Sequence, residues 1–500
     1  MKRLLFIFLS GVLFMNLNVK AVEAGEQNRF EKFFLDNTLR IDYVRMGNST
    51  EETVSLDRLY ETPHWAGSTV NLVEINPPGR HLARVFDAQS GELLFLKGFD
   101  SIFGEYRTTK PASEGTRRSF QESLLIPLPR AKVRLELESR DQKGGMKKVF
   151  EVLIDPEDYR IIKKAPPADV RRLDFFISGP PHEKLDILLV ADGYRKSDFE
   201  KFKADAFRFT KVILKQEPYR KLKNLINIRG VFRPSQESGI SEPSYGSHRN
   251  SAVGCSFDSL DSNRYILTEN NRDLRDIASA SPYDALIILV NTGRYGGGGI
   301  YNLYATAVSD NRWADYVFLH EFGHSFAGLG DEYYTSSTSY QDFNPLGVEP
   351  SDPNVTALKD PASLKWKPLV SPNLAIPTPW EKEAYDRMDL AYQKVREELN
   401  DKVASRKRAK APADELRALE NEQDRLSLEH AKKVDAFLRN CRDYGKIGAF
   451  EGAGYQPKGL YRPSIDCIMF TKGSKPFCAV CREAVHNRLL WYTEKDMSVK

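Results

Sequence analysis

From residue 25 to about residue 165, apolar and polar positions mostly alternate. Leu39-Arg40-Ile41-Asp42-Tyr43-Val44 and Val133-Arg134-Leu135-Glu136-Leu137-Glu138 follow the two-residue period of half-buried strands. Leu82 to Phe86 and Leu93 to Leu96 flank the turn-like Asp87-Ala88-Gln89-Ser90-Gly91 and read as a hairpin. Several short strands with Gly, Pro and Asp between them predict an all-β sandwich over 25–165. No metal-ligand spacing occurs there, so the region reads as a structural or positioning module, with carbohydrate binding as the functional alternative.

Ala165-Pro166-Pro167-Ala168 has linker composition. Beyond it the pattern becomes strand, helix, strand, and residues 170–500 read as one α/β domain. Leu185 to Ala191, Ile226 to Phe232 and Ala285 to Val290 are continuous apolar runs, as expected of fully buried strands. Ser197 and Glu200 have capping-box spacing ahead of a helix carrying Phe199, Phe202, Ala206, Phe209, Val212 and Ile213. Tyr265 to Ala278 is read as a helix. The glycine run Gly296 to Gly299 is read as a flexible approach to an edge strand over 300–306, which would rim a cleft and pair with an extended peptide. Residues 381–440 are highly charged, with apolar residues at helical spacing on either side of Lys410-Ala411-Pro412. They predict an inserted helical hairpin with solvated faces.

Charge narrows the function classes. Lys and Arg total 73 against 69 Asp and Glu, a net charge of +4, which makes no electrostatic case for nucleic acid. Residues 1–24 read as a signal peptide: Met1-Lys2-Arg3, an apolar run from Leu4 to Leu17, then Val22-Glu23-Ala24. The run is short for a membrane span, so a secreted or periplasmic location is expected. Four of five cysteines (Cys441, Cys467, Cys478, Cys481) fall near the C-terminus. In an exported protein they are read first as disulfides, with a structural zinc at Cys478 and Cys481 as the alternative. Cys255 is left over as a free, buried thiol.

The densest chemistry is His320-Glu321-Phe322-Gly323-His324, continuing to Gly328-Leu329-Gly330-Asp331-Glu332-Tyr333. Trp313 to Leu319 contains no Gly or Pro and is apolar nearly all round, which predicts a buried helix. On it, His320 and His324 share a face and can hold one zinc ion, with Glu321 as general base. Gly328 and Gly330 allow a sharp exit that returns Asp331 or Glu332 toward the metal. A carboxylate as third ligand leaves the metal less positive than a third imidazole would.

From Leu319 to Tyr333 the chain resembles the zinc-binding segment of the immunoglobulin-A peptidase family of secreted bacterial metallopeptidases, which are metzincin-like. The likeness extends to Phe450-Glu451-Gly452-Ala453-Gly454-Tyr455, Tyr461-Arg462-Pro463-Ser464 and Cys467-Ile468-Met469. It implies His320, His324 and Asp331 as zinc ligands, Glu321 as base and Met469 beneath the metal. The glycine four residues after His324 and the Asp331 position depart from the usual metzincin spacing, so Glu332 stays open as the third ligand. Tyr461 is the first choice for a donor to the developing oxyanion, ahead of Tyr333 and Tyr455. The expected activity is a zinc endopeptidase, with immunoglobulin A as a substrate to test. The alternatives are a non-catalytic binding or adhesion protein on a peptidase fold, and a zinc hydrolase of cell-wall peptides.

Overall fold

The computed structural model describes residues 29–75, 77–335 and 343–493. The segment read as a signal peptide lies outside them. Strands β1 (Phe34–Gly47), β2 (Glu52–Pro63), β3 (His81–Asp87), β4 (Leu93–Phe99), β5 (Arg118–Pro129), β6 (Val133–Arg140), β7 (Met146–Ile154) and β8 (Ile162–Lys163) form two sheets, ordered β5-β1-β2-β8 and β4-β3-β6-β7. Alternate residues of both sheets, among them Ile41, Ile126, Val85 and Leu135, fill one shared core. The region is not purely β. Helices α1 (Ile102–Tyr106) and α2 (Lys110–Ser113) follow β4, and Phe103 and Tyr106 of α1 pack into the core of the next sheet.

That sheet holds β9 (Arg171–Phe176), β10 (Leu185–Asp192), β11 (Ile226–Phe232), β12 (Ala285–Val290), β13 (Gly297–Ile300) and β14 (Tyr304–Val308), in the order β13-β14-β12-β10-β11-β9. The inner pairs are parallel and both edge strands antiparallel. Because side chains alternate along a strand, Ile187 and Leu189 of β10 face helices α3 (Phe199–Lys215) and α5 (Ala314–Ala327), while Leu188 and Val190 face α4 (Asn271–Ala278). Both faces are covered, which explains the unbroken apolar runs. Phe209 of α3 stacks on Phe318 of α5 at 4.4 Å between ring centroids.

Three local expectations need correction. The box belongs to a 3-10 turn (Lys196–Asp198) that leads into α3: the Asp198 carboxylate accepts the Arg195 N–H at 2.9 Å, whereas the start of α3 itself has no side-chain cap, and Ser197 and Glu200 do not form the box. Residues 265–267 are not helical, because Ile266 N–H bonds Gly297 O at 3.0 Å and Leu267 N–H bonds Ser256 O; α4 begins only at Asn271. The edge strand is the glycine run itself, and Tyr304–Val308 lies inside the sheet between β13 and β12.

Helices α6 (Lys382–Arg408) and α7 (Ala413–Arg439) form the expected hairpin. Its antiparallel register is fixed by Arg406 with Glu415, Gln423 with Asn400, and His430 with Asp389. The antiparallel pair β15 (Ile447–Ala453) and β16 (Gln456–Ser464) and helix α8 (Ala479–Tyr492) complete the chain. The two regions are joined by buried ion pairs, Arg40 with Asp276 at 2.8 Å and Arg488 with Glu74 at 2.7 Å. All five cysteines are free thiols, so the expected disulfides are absent; Cys255 is buried, as expected. Among the described residues, no helix is long and apolar enough to cross a membrane.

Candidate metal centre and cleft

Helix α5 carries the site. It is buried along nearly its whole length, and Glu321 and His324 are partly open where it borders a cleft. Gly328 ends it in the left-handed region at φ 62°, a conformation that suits glycine. The chain then reverses, and the Leu329 carbonyl receives the His324 Nδ1 hydrogen at 2.5 Å. His320 Nδ1 donates to the Ile468 carbonyl at 2.9 Å. A carbonyl only accepts, so both imidazoles carry a proton on Nδ1, and in the neutral form each presents a bare Nε2.

The two Nε2 atoms lie 3.1 Å apart. Asp331 Oδ1 is 3.0 Å from one and 3.2 Å from the other, and no hydrogen bond satisfies it. Three electron-rich atoms thus converge on one buried point, and only a proton or a cation relieves their repulsion. A proton is a partial answer: burial opposes the charge on His324, but Asp331 outweighs burial and raises its pKa to about 10. Burial likewise works against the Asp331 charge, and the imidazoles more than offset it, holding this carboxyl below its usual range. A divalent metal satisfies all three donors together, and two imidazoles with a carboxylate are a set that zinc accepts with a position left open.

Asp331 is fixed from its other side. Its Oδ2 accepts the Tyr455 hydroxyl and its carbonyl accepts the Gly454 N–H at 2.8 Å, both from the β15–β16 turn. Tyr333 lies nearly parallel to His320, with ring centroids 6.2 Å apart. Glu332 points the opposite way from Asp331, as successive residues of an extended segment do, and meets Cys481 instead of the imidazoles. The structure therefore brings His320, His324 and Asp331 together and leaves Glu332 out. Met469 is fully buried, and its sulfur would sit 3.1 Å from a Cβ at Gly323, so it packs directly under the histidine turn of α5.

Tyr461 is a correction. It lies on β16 opposite Glu451, with its backbone bonded to Thr356, and it does not line the cleft, whereas Tyr333 and Tyr455 do. The motif neighbourhood points to it, but strand alternation buries Arg462 and leaves Tyr461 half-exposed.

The glycine run has a packing role. A Cβ on Gly297 would meet Val317 at 2.5 Å and Glu321 Cγ at 2.9 Å, and one on Gly299 would meet the Glu321 carbonyl at 2.3 Å. Strand β13 therefore lies with its bare backbone directly on the histidine turns of α5. The outer side of Gly297 is already bonded to Arg264 and Ile266. The opposite wall comes from the helical hairpin through Tyr392, Arg396 and His430, and Asp100 of the N-terminal region reaches the same cleft. Glu321 stands at the floor, where burial raises its pKa despite the nearby histidines.

Residues 173–489 match the family described as IgA Peptidase M64, and residues 29–151 match Peptidase M64 N-terminus. The chain belongs to the IgA peptidase M64 family. This M64 peptidase thus has the family's two-part order, with mixed α/β sheets and a cluster suited to a metal. No curated protein matches it.

Proposed function

We propose that this M64 protein is an exported zinc endopeptidase that cleaves internal peptide bonds, with Glu321 as the general base. The observation that carries the reading is the convergence of His320 Nε2, His324 Nε2 and Asp331 Oδ1 at the floor of a cleft beside Glu321. Zinc, when bound, acidifies a water and polarises the scissile carbonyl. Glu321 takes the proton of the attacking water and returns it to the leaving nitrogen. Its raised affinity for a proton suits both halves of that transfer. The carbonyls of Ile468 and Leu329 keep each imidazole in the tautomer that offers Nε2. Tyr455 holds Asp331 so that Oδ1 faces the histidines.

The facing sheets of β1–β8 read as a sandwich that braces the cleft, and the catalytic region reads as metzincin-like. The apolar leader supports export to the periplasm or the medium. Immunoglobulin A, named by the family, is the intact substrate to test first.

Metal dependence tests this reading. Incubation with a chelator is expected to suppress cleavage of an unfolded protein mixture at least 100-fold, and added zinc to restore it, with circular dichroism confirming that the fold persists. Unchanged cleavage by folded protein shown to be metal-free would rule the mechanism out.

A further inference from the structure

Behind the catalytic cleft, a second group of ligand atoms converges. Glu332, Cys467, Cys478 and Cys481 each offer one atom within 4.8 Å of the others. Cys467 Sγ is 3.8 Å from Cys481 Sγ, and Cys481 Sγ is 3.2 Å from Glu332 Oε1. Glu332 is completely buried. Its Oε1 accepts Asn354 Nδ2 at 2.9 Å, but its Oε2 has no hydrogen-bond partner. A buried carboxylate with an open oxygen is costly unless a proton or a cation meets it.

Disulfides do not resolve this cluster. Three sulfurs cannot pair among themselves without leaving one over. The remaining C-terminal cysteine, Cys441, is outside the cluster and is turned toward the Phe437 carbonyl at 3.6 Å. A disulfide would also leave the Glu332 oxygen unmet. Three sulfurs and one oxygen are, in contrast, a complete tetrahedral set for zinc, with no position left for water.

We propose that Glu332, Cys467, Cys478 and Cys481 bind a second, structural zinc ion. Binding releases the three thiol protons to solvent. Two features favour the thiolates. Cys478 is the N-cap of α8, and the Cys481 N–H points at its sulfur at 3.5 Å, so the positive end of the helix faces the cluster. The Cys478 N–H in turn faces the Cys467 sulfur at 3.3 Å.

The position of this site gives it a role. Glu332 adjoins Asp331, and Cys467 adjoins Ile468, whose carbonyl orients His320. Glu332 N–H also bonds the Met469 carbonyl at 2.9 Å. The second zinc therefore ties together the two segments that position the catalytic ligands, and it anchors α8 to both. Its existence does not depend on the peptidase reading.

The test is the zinc content of the purified full chain after extensive dialysis, measured on wild type, His324→Ala and Cys478→Ser. Two zinc ions per wild-type chain and one in each variant are expected. Cobalt substitution then distinguishes the sites: the intense thiolate-to-cobalt charge-transfer absorption is expected in wild type and in His324→Ala, and not in Cys478→Ser. If Cys478→Ser fails to fold, the His324→Ala protein still decides the matter. One bound metal with the thiolate absorption supports the proposal; loss of all metal, or metal without that absorption, overturns it. An unreduced mass lighter by two hydrogens, with two fewer titratable thiols, would likewise overturn it in favour of a disulfide.

Discussion

Asp331→Ala is expected to lose cleft metal and proteolysis together. Asp331 supplies a carboxylate oxygen that faces both imidazole nitrogens. Without it, two lone pairs remain 3.1 Å apart and lose the carboxylate oxygen that both face. Removing a group that only supports a ligand typically costs about 10–100-fold in metal affinity or activity, and removing the ligand itself should exceed that. Tyr455→Phe is the graded companion. It takes away the hydroxyl on Asp331 Oδ2 but leaves Oδ1 in place, so a loss within that 10–100-fold range is expected. Zinc titration of both variants, beside peptide turnover, checks the order. Tight zinc binding in folded Asp331→Ala would remove Asp331 from the ligand set.

The second large effect is expected at Gly299. A side chain there would sit 2.3 Å from the Glu321 carbonyl and 2.9 Å from His324 Cβ. One of these contacts is backbone and cannot swing away, so either β13 or α5 must move. Overpacking of this kind costs about 1–3 kcal/mol, and here the displaced groups are those of the site itself. Gly299→Val is therefore expected to lower the melting temperature by several degrees and to reduce turnover well beyond what the stability loss explains. Gly293→Ala is the control, because a Cβ there meets nothing within 4 Å. If Gly299→Val matched the control in both measurements, the glycines would serve flexibility instead of close packing.

That contrast marks where sequence reading stops. The buried strands β10, β11 and β12 were legible because apolar runs of that length fit a sheet covered on both faces. The histidine pair was legible because His320 and His324 lie about one helical turn apart, with Glu321 beside them, and Gly328 announces the reversal. Asp331 and Glu332 stayed ambiguous, since adjacent residues differ only in which side they face, and the chain direction after the helix decides that. Glycine signals both freedom and close approach, and only the partner strand or helix tells them apart. Closeness in sequence to Met469 points to Tyr461, but the residue that reaches Asp331 is Tyr455, held at the β15–β16 turn with φ 66°. Compartment alone favours disulfides for the cysteines, and Glu332, the residue that joins three of them in one cluster, lies far from them in the chain.

The proposed mechanism stands or falls on Glu321. It lines the cleft beside the histidines, yet its carboxylate is not among the three groups that converge on the metal position. Glu321→Ala should therefore keep its zinc and lose general-base catalysis, which is usually worth about 10²–10⁴-fold. The decisive measurement is cleavage of an unfolded protein mixture by wild type and Glu321→Ala, with zinc content determined on both and cleavage sites mapped by mass spectrometry. Internal cleavage by wild type, with at least a 100-fold loss in a variant of equal zinc content, is the predicted result. Equal cleavage by the two proteins would contradict the account.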